Sequence, residues 1–422
     1  MKRKLIKQMC NEWRDNIWLI LELAVVSAAM GVVLITVVSL LDVKTRPMGI
    51  GPIDDMYVAD FSTLNEESQR YDDYGDRNDE FLSRDMRRVA AALRRNPYVE
   101  KAGLVFNGLP FTLNYFGNMR DFVVNGDTLT YYFNMRYMSP EAAEILGLEG
   151  CCGYTSADVI AALKRGEIVI SDYVFGEEEK PYDIRRLVGQ DYVAQIGDQV
   201  TAQRIGAIAS FMRRYPYESQ LTGMAVFPIN EAAGGNLDMD SKLLIKVKPG
   251  TGGKFIESLQ SRAALASGNV FLRTPVSLES MRKDICAKQD TRLNLLGACM
   301  FFLLLIIFLG ILGTFWFRIR QRESEIALRR VTGATRGDIF RRIMSESMLL
   351  LVIAIIPAVG LDALLYFKKM PVTDGSRLSM QQILWISSAL NFLAMTVSIL
   401  LGAWFPAYRA MKVHPAEALK EE

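Results

Sequence analysis

The hydrophobic and polar positions of this chain follow two different rhythms. Four long apolar runs carry almost no charge: "IWLILELAVVSAAMGVVLITVVSLL" from Ile17 to Leu41, "LNLLGACMFFLLLIIFLGILGTFWF" from Leu293 to Phe317, then Met348 to Phe367 and Ile383 to Phe405. Each reaches the roughly 20 residues that a helix needs to cross the hydrocarbon core of a bilayer. The first run is too long and too late for a signal peptide, lacks a small-residue cleavage site and leads into a polar region. It predicts a retained helix.

Residues 42–292, between the first two runs, have the shorter periods of a folded polar domain. After the connector "RPMGIGPID" they read as strand "MYVAD", helix "FLSRDMRRVAAALRR" and strand "YVEKAGLVF", a βαβ unit. A second such unit closes the region, with "SKLLIKVKPG", helix "GKFIESLQSRAALA" and strand "NVFLRT". The two are expected to pair into one α+β sandwich that carries the intervening residues as an insertion. There "FVVNGDTLTYYFNM" reads as a hairpin around Asn125 and Gly126. "SPEAAEILGL" and "TSADVIAALKRG" read as short helices, and "EIVIS" and "TAQRIGAIASFM" as extended, which predicts a mostly β subdomain. The last helix, "SLESMRKDICAKQDTRLN", meets no breaker before the second apolar run. Ahead of the first run, Leu5 or Ile6, Met9, Trp13 and Ile17 recur at helical spacing against a basic face, which predicts an amphipathic surface helix over residues 1–16.

Charge then orients the spans. The near-balance of 49 basic and 47 acidic residues hides a strong segregation. Lys2, Arg3, Lys4, Lys7 and Arg14 precede the first run, and Arg318, Arg320, Arg322, Arg329, Arg330, Arg336, Arg341 and Arg342 follow the second. Only Lys368, Lys369 and Arg377 lie between the third and fourth. Retention of positive charge on the inner side predicts a multi-pass membrane protein with both termini inside. Its parts are an inner amphipathic helix (1–16), transmembrane helix 1 (17–41), an outer α+β domain (42–292), transmembrane helix 2 (293–317), an inner loop (318–347), helix 3 (348–367), a short outer loop (368–382), helix 4 (383–405) and an inner tail (406–422). The fold class is therefore four transmembrane α-helices plus a large α+β extracytoplasmic domain between helices 1 and 2. Cys151, Cys152 and Cys286 fall outside, and packed or free thiols are expected there in preference to a strained Cys151–Cys152 bridge or a pairing of one of them with Cys286.

The inner loop is the most informative segment. In "ESEIALRRVTGATRGDIFRR", Ile326, Ala327, Arg330 and Val331 follow helical spacing, and Gly333 stands where a helix would end in a left-handed turn. Thr335 can cap the next helix, with Asp338 in the capping-box position. Two helices at an angle are predicted, the first offering Ile326, Leu328 and Val331 to a soluble partner. Ser27 with Gly31, and Ser398 with Gly402, are small residues four apart and candidates for close helix packing at a dimer seam. Glu22 and Glu346, near the inner face, are expected to pair structurally.

Other chemistry is thin. The one histidine, His414, lies in the tail, so histidine-based triads and metal sites outside are excluded. Asp72, Asp73, Asp76, Asp79 and Glu80 cluster without the spacing of a calcium loop. "PGTGGKF" fails the phosphate-loop pattern, because Phe255 stands where a hydroxyl belongs. No catalytic, cofactor or metal residue is expected, and nothing points to nucleic acid.

The stretch "RQRESEIALRRVTGATRGDIFRRIMSESMLL" resembles the coupling segment of ABC-transporter permeases of the MacB and FtsX type, and "PAYRAMKVHPAEALKEE" resembles that family's ending through Pro406, Ala407, Arg409, Pro415, Glu417, Ala418 and Leu419. The order of one span, an outer domain and three spans agrees. The resemblance implies a MacB-like periplasmic domain and a coupling helix in which Glu325, Ile326, Leu328, Arg329, Arg330, Val331, Gly333 and Ala334 meet an ATPase. MacB carries its nucleotide-binding domain on the same chain, so here ATP would be bound by a separate ATPase subunit. It further implies a dimer with a second copy or a paralogue, and partnership with a periplasmic adaptor and an outer-membrane exit protein. Export of a peptide, antibiotic or other periplasmic substrate by mechanotransmission is the leading reading. Lipoprotein release of the LolC and LolE kind, or a membrane-anchored sensor, are the alternatives.

Overall fold

The computed structural model describes residues 13–112, 117–124, 127–175, 183–196, 199–218, 223–229, 237, 239–259, 266–368 and 378–412. The surface helix expected before Trp13, the Asn125–Gly126 turn and the tail from Val413 lie outside the described residues. The chain divides into two compact units. One holds the chain up to Lys44 and from Gln289 onward, and the other is an inserted domain, Thr45–Lys288.

In the inserted domain the two βαβ units interleave as expected. Strands β1 (Met56–Thr63), β2 (Val99–Phe106), β9 (Lys242–Val247) and β11 (Val270–Leu272) form one antiparallel sheet in the order β11-β1-β9-β2. Helix α2 (Asn78–Arg94) buries Leu82, Met86, Val89, Ala90 and Leu93, spaced as one helical face, and joins Phe255 of α5 (Gly252–Ser258) in a single apolar cluster with Leu104, Leu243 and Ile245. Strand residues alternate between faces, so Val58, Val105 and Leu244 point to a second cluster. There they meet α3 (Pro140–Leu146), α4 (Ser156–Lys164) and the first residue of α6, Leu278.

The insertion is more ordered than the sequence suggested. Strands β3 (Gly117–Val124), β4 (Asp127–Met138), β5 (Ile168–Ser171), β6 (Asp191–Ile196), β7 (Gln199–Ala209) and β8 (Gly223–Pro228) run in the order β4-β3-β6-β7-β5-β8, and β8 then pairs in parallel with β4. The ring closes into a six-stranded barrel. Closure leaves no unpaired edge among these strands, and Phe133, Ile168, Ile170, Ile205 and Ala225 lie in a buried cluster. β4 belongs to both parts, because Val105 and Phe106 of β2 pair with Met138 and Tyr137 at its far end. β10 (Ala266–Ser267) and β12 (Val276–Ser277) complete the edge at β11 and β1. "PGTGGKF" is a turn entering α5, as its sequence indicated. Cys151 and Cys152 carry thiols whose sulfurs lie 3.4 Å apart, and burial pushes the Cys151 thiol up to about 11. Cys286 is a buried thiol.

The helical unit contains α1 (Trp13–Lys44), the span of α6 (Leu278–Gln321), α7 (Glu323–Val331), α8 (Arg336–Phe367) and α9 (Met380–Ala410). α1, α6, α8 and α9 are each long and apolar enough to cross a membrane. Leu19, Leu23, Ile311, Phe315, Leu350, Leu351, Met395 and Ile399 form their shared core. Large apolar side chains such as Phe301, Phe302, Ile356, Leu364, Leu393 and Leu401 are exposed. That inversion of the usual soluble pattern suits a surface solvated by lipid.

Candidate functional site

The arginine-rich loop is a helical elbow built by local signals. α6 ends at Gln321, and after Arg322 the chain resumes as α7, with Glu323 and Glu325 in its first turn and Arg329 and Arg330 in its last, which complements the helix dipole. α7 is stopped by Gly333, whose φ of 101° a side-chain-bearing residue adopts only with strain. There the Gly333 N–H donates to Arg330 O (3.2 Å) and the Ala334 N–H to Arg329 O (3.0 Å), the paired bonds of a Schellman stop. Thr335 then caps α8 by accepting from the Asp338 N–H, while Asp338 accepts from the Thr335 N–H at 3.1 Å and from its hydroxyl at 2.7 Å. Thr335→Ala is expected to weaken this start by about 1 kcal/mol. Amide exchange at Asp338 and Ile339 should then accelerate roughly fivefold, whereas Thr335→Ser should leave it nearly unchanged.

The faces of α7 are unequal. Ala327 is fully buried, and Ile326 packs against the bundle core. Leu328 and Val331 stand out at 57% and 62% exposure. Ile326 is partly buried, and its contact with the bundle core helps to hold α7 in place. Arg329 donates to Glu325 one turn back, at 3.0 Å from Nε. Glu346 of α8 lies 3.6 Å from Arg322 and 3.9 Å from Arg318, so the structural pairing expected of it is present. These groups, with Arg342, Ile319 and Ile343, surround a cavity of about 60 Å³ under the elbow. Arg330 is half-buried and Ala334 partly so, while Gly333 is exposed. An aromatic belt marks this end of the bundle: Trp316 stacks on Phe405, Arg409 lies over Trp316, and Trp18 and Trp404 are exposed.

The four small residues are buried within this chain. Ser27 accepts from Asn391 of α9 and Gly31 lies against Asp362 of α8. Gly402 meets Phe308 O and Ile311 of α6, and Ser398 is buried. Each small side chain lets two helices of the same chain approach closely. Glu22 faces Gly310 of α6. Asp362 and Asn391 also belong to this buried set, and the sequence signal for them is a polar residue inside an apolar run.

Residues 297–415 match the family described as FtsX-like permease C-terminal. A pyoverdine export ATP-binding/permease protein, PvdT, of Pseudomonas savastanoi pv. phaseolicola is 27% identical over 138 residues, 32% of this chain and 20% of that protein. The macrolide export ATP-binding/permease protein MacB of Nitrosomonas europaea is 26% identical over 159 residues, 37% of this chain and 22% of that protein. The matched region thus spans about a fifth of the length of these relatives. Among solved structures, the periplasmic region of MacB from Actinobacillus actinomycetemcomitans aligns at 14% identity and a TM-score of 0.29, covering 54% of this chain and 90% of that one. The extracellular domain of the noncanonic ABC-type transporter YknZ from Gram-positive bacteria aligns at 9% identity and a TM-score of 0.31, covering 52% and 99%. With four helices long and apolar enough to cross a membrane, a mixed α+β domain after the first, and an FtsX-like C-terminal region carrying the elbow, the chain is similar over its C-terminal part to ABC transporter permeases of the MacB and FtsX type.

Proposed function

We propose that this chain is the non-enzymatic membrane subunit of an export system, in which α7 receives force from a separate cytoplasmic ATPase and the span helices pass it to the inserted domain on the outer side of the inner membrane. The observation that carries the reading is the asymmetry of α7. Its base is seated by Ala327 and Ile326 and its C-terminal end is stopped at Gly333, yet Leu328 and Val331 project outward. Exposed apolar side chains on a fixed helix at the polar end of a bundle suit docking in a groove of a soluble partner. The basic residues around α7 support an inward orientation of this end. The exposed apolar stripe of α6, including Phe301, Phe302 and Leu309, supports contact with lipid or with a second permease copy. The names of the relatives favour a small exported substrate such as a siderophore or a macrolide.

The test is co-purification from membranes. An ATPase subunit should accompany the wild type and fall by at least about tenfold with Leu328→Asp combined with Val331→Asp, since two charged side chains would enter an apolar contact. Ile326 is left intact because its loss would disturb the bundle itself. Equal recovery of the ATPase with both proteins would contradict the docking role.

A further inference from the structure

The membrane bundle contains an acid that the docking role of α7 does not use. We propose that Asp362 is a proton-binding site, buried in the seam between α1, α8 and α9, whose protonated form is the one that packs when the seam is closed.

The seam is layered, one helical turn per layer. In the first layer the Asn391 amide donates to Ser27 O at 2.9 Å and to its Oγ at 3.2 Å. One turn along α1, the face of Gly31 lies against the Asp362 carboxyl so closely that a Cβ there would fall 1.7 Å from Oδ2. Ser387, one turn along α9 from Asn391, is buried as well. A third layer of Ile35, Tyr366 and Ile383 closes this side with a buried apolar cluster.

Asp362 is 2% exposed, five residues from the end of α8 at Phe367. Among the described residues its Oδ1, the Ser387 Oγ and the Asn391 Oδ1 have no hydrogen-bond partner. Among the described residues no cation pairs with it. α1 carries no ionisable side chain from Leu23 to Leu41, nor does α9 from Met380 to Ala407 or α8 between Glu346 and Asp362. Tyr366 is the neighbouring titratable group on α8 itself, packed against Ile35 and Ile383. Within its span α6 carries only Cys299, which is exposed, and Glu22 of α1 faces Gly310 of α6 instead.

A carboxylate left unpaired in such surroundings costs several kcal/mol, a cost that neutralisation removes. The neutral acid also supplies one O–H donor where the carboxylate supplies none. When the seam admits water, the O–H bond breaks, the proton passes to water and the carboxylate remains. Reclosure takes one proton back. Each closing of the seam is thereby linked to uptake of a proton from the side to which it had opened, a coupling independent of whether α7 binds an ATPase.

The experiment is infrared spectroscopy of the full chain in a detergent without ester carbonyls, following the C=O stretch of a protonated carboxyl. The band should be present in the wild type near neutral pH, missing in Asp362→Asn and present again, shifted, in Asp362→Glu. It should fall about tenfold per pH unit beyond its midpoint, whatever the sodium concentration. The titration is read on the wild type itself, so it does not depend on how either variant folds. The proposal is overturned if wild type and Asp362→Asn show no difference, if the band persists unchanged at every pH where the protein stays folded, or if sodium removes it at constant pH.

Discussion

Glu218→Ala is expected to cost the inserted domain about 3–5 kcal/mol, the range for breaking a buried ion pair from one side. Glu218 is 3% exposed, accepts from the Arg214 backbone N–H at 2.6 Å and pairs with the Arg214 guanidinium. Its backbone carbonyl accepts from Arg213, which also donates to Pro216 O and Arg46 O. Close by, Arg136 of β4 is 1% exposed with both terminal nitrogens unpartnered among the described residues, and its guanidinium lies over the Phe211 ring. Burial pushes the Arg136 guanidinium down to about 10, with the Glu218 charge opposing that fall and Arg214 adding to it. Removing Glu218 takes a buried carboxylate from a group of buried cations. Hydrogen exchange of the β4 and β8 amides in the full chain reads the loss directly. The sign reverses at the partner site: Arg136→Met replaces an undersatisfied cation by an apolar side chain of similar reach, and should be neutral or stabilising by about 1–4 kcal/mol. If Arg136→Met destabilised as strongly as Glu218→Ala, the charge argument would fail.

Gly103→Val should be comparably severe for a steric reason. Gly103 pairs with Leu244 in the middle of the sheet, and α3 crosses directly above it. A Cβ at this position would lie 2.4 Å from Ala142 N, 2.8 Å from Ala142 Cα and 2.7 Å from Ser139 Oγ. Two of these are backbone atoms, so the whole of α3 must move. Ser139 is also the cap of that helix, accepting from the Ala142 N–H at 3.3 Å and from the Leu104 N–H at 3.2 Å. Overpacking of this kind costs about 1–3 kcal/mol or more, and loss of the cap adds about 1 kcal/mol. Protease resistance of the inserted domain should drop sharply, while Gly253→Ala, where a Cβ meets nothing within 4 Å, should leave it intact. Equal resistance of the two variants would show that α3 can retreat without loss.

Gly103 and Glu218 also show why some of this protein was readable and some was not. A glycine in a strand is visible, but its neighbour Ala142 lies 39 residues on and is brought there only by the sheet. Glu218 sits in a stretch with no periodic pattern, and nothing local marks it as buried. β6 and β8 were likewise missed, β8 because "GMAVFP" is short and buried on both faces, without the alternation that identifies a half-exposed strand. The barrel could not be foreseen, since the closing pair joins Phe133 to Gly223. At the elbow, by contrast, Gly333 and Thr335 act on bonds within five residues, and both the stop and the restart are legible. What local pattern leaves open there is the face: Ile326 and Val331 stand five residues apart, and the bundle core takes Ile326 while Val331 is exposed.

By itself the sequence determined the four spans, the two βαβ units, the passage of α6 without a break into its span and the locked elbow, because hydropathy, period and capping are properties of neighbouring residues. Tertiary structure decided the rest: which face of α7 is seated, that β4 closes onto β8, that Arg136 and Glu218 are buried, and that Gly31 lies against Asp362. Those outcomes depend on surfaces contributed by segments far apart in the chain, and packing selects among faces that local chemistry leaves equivalent.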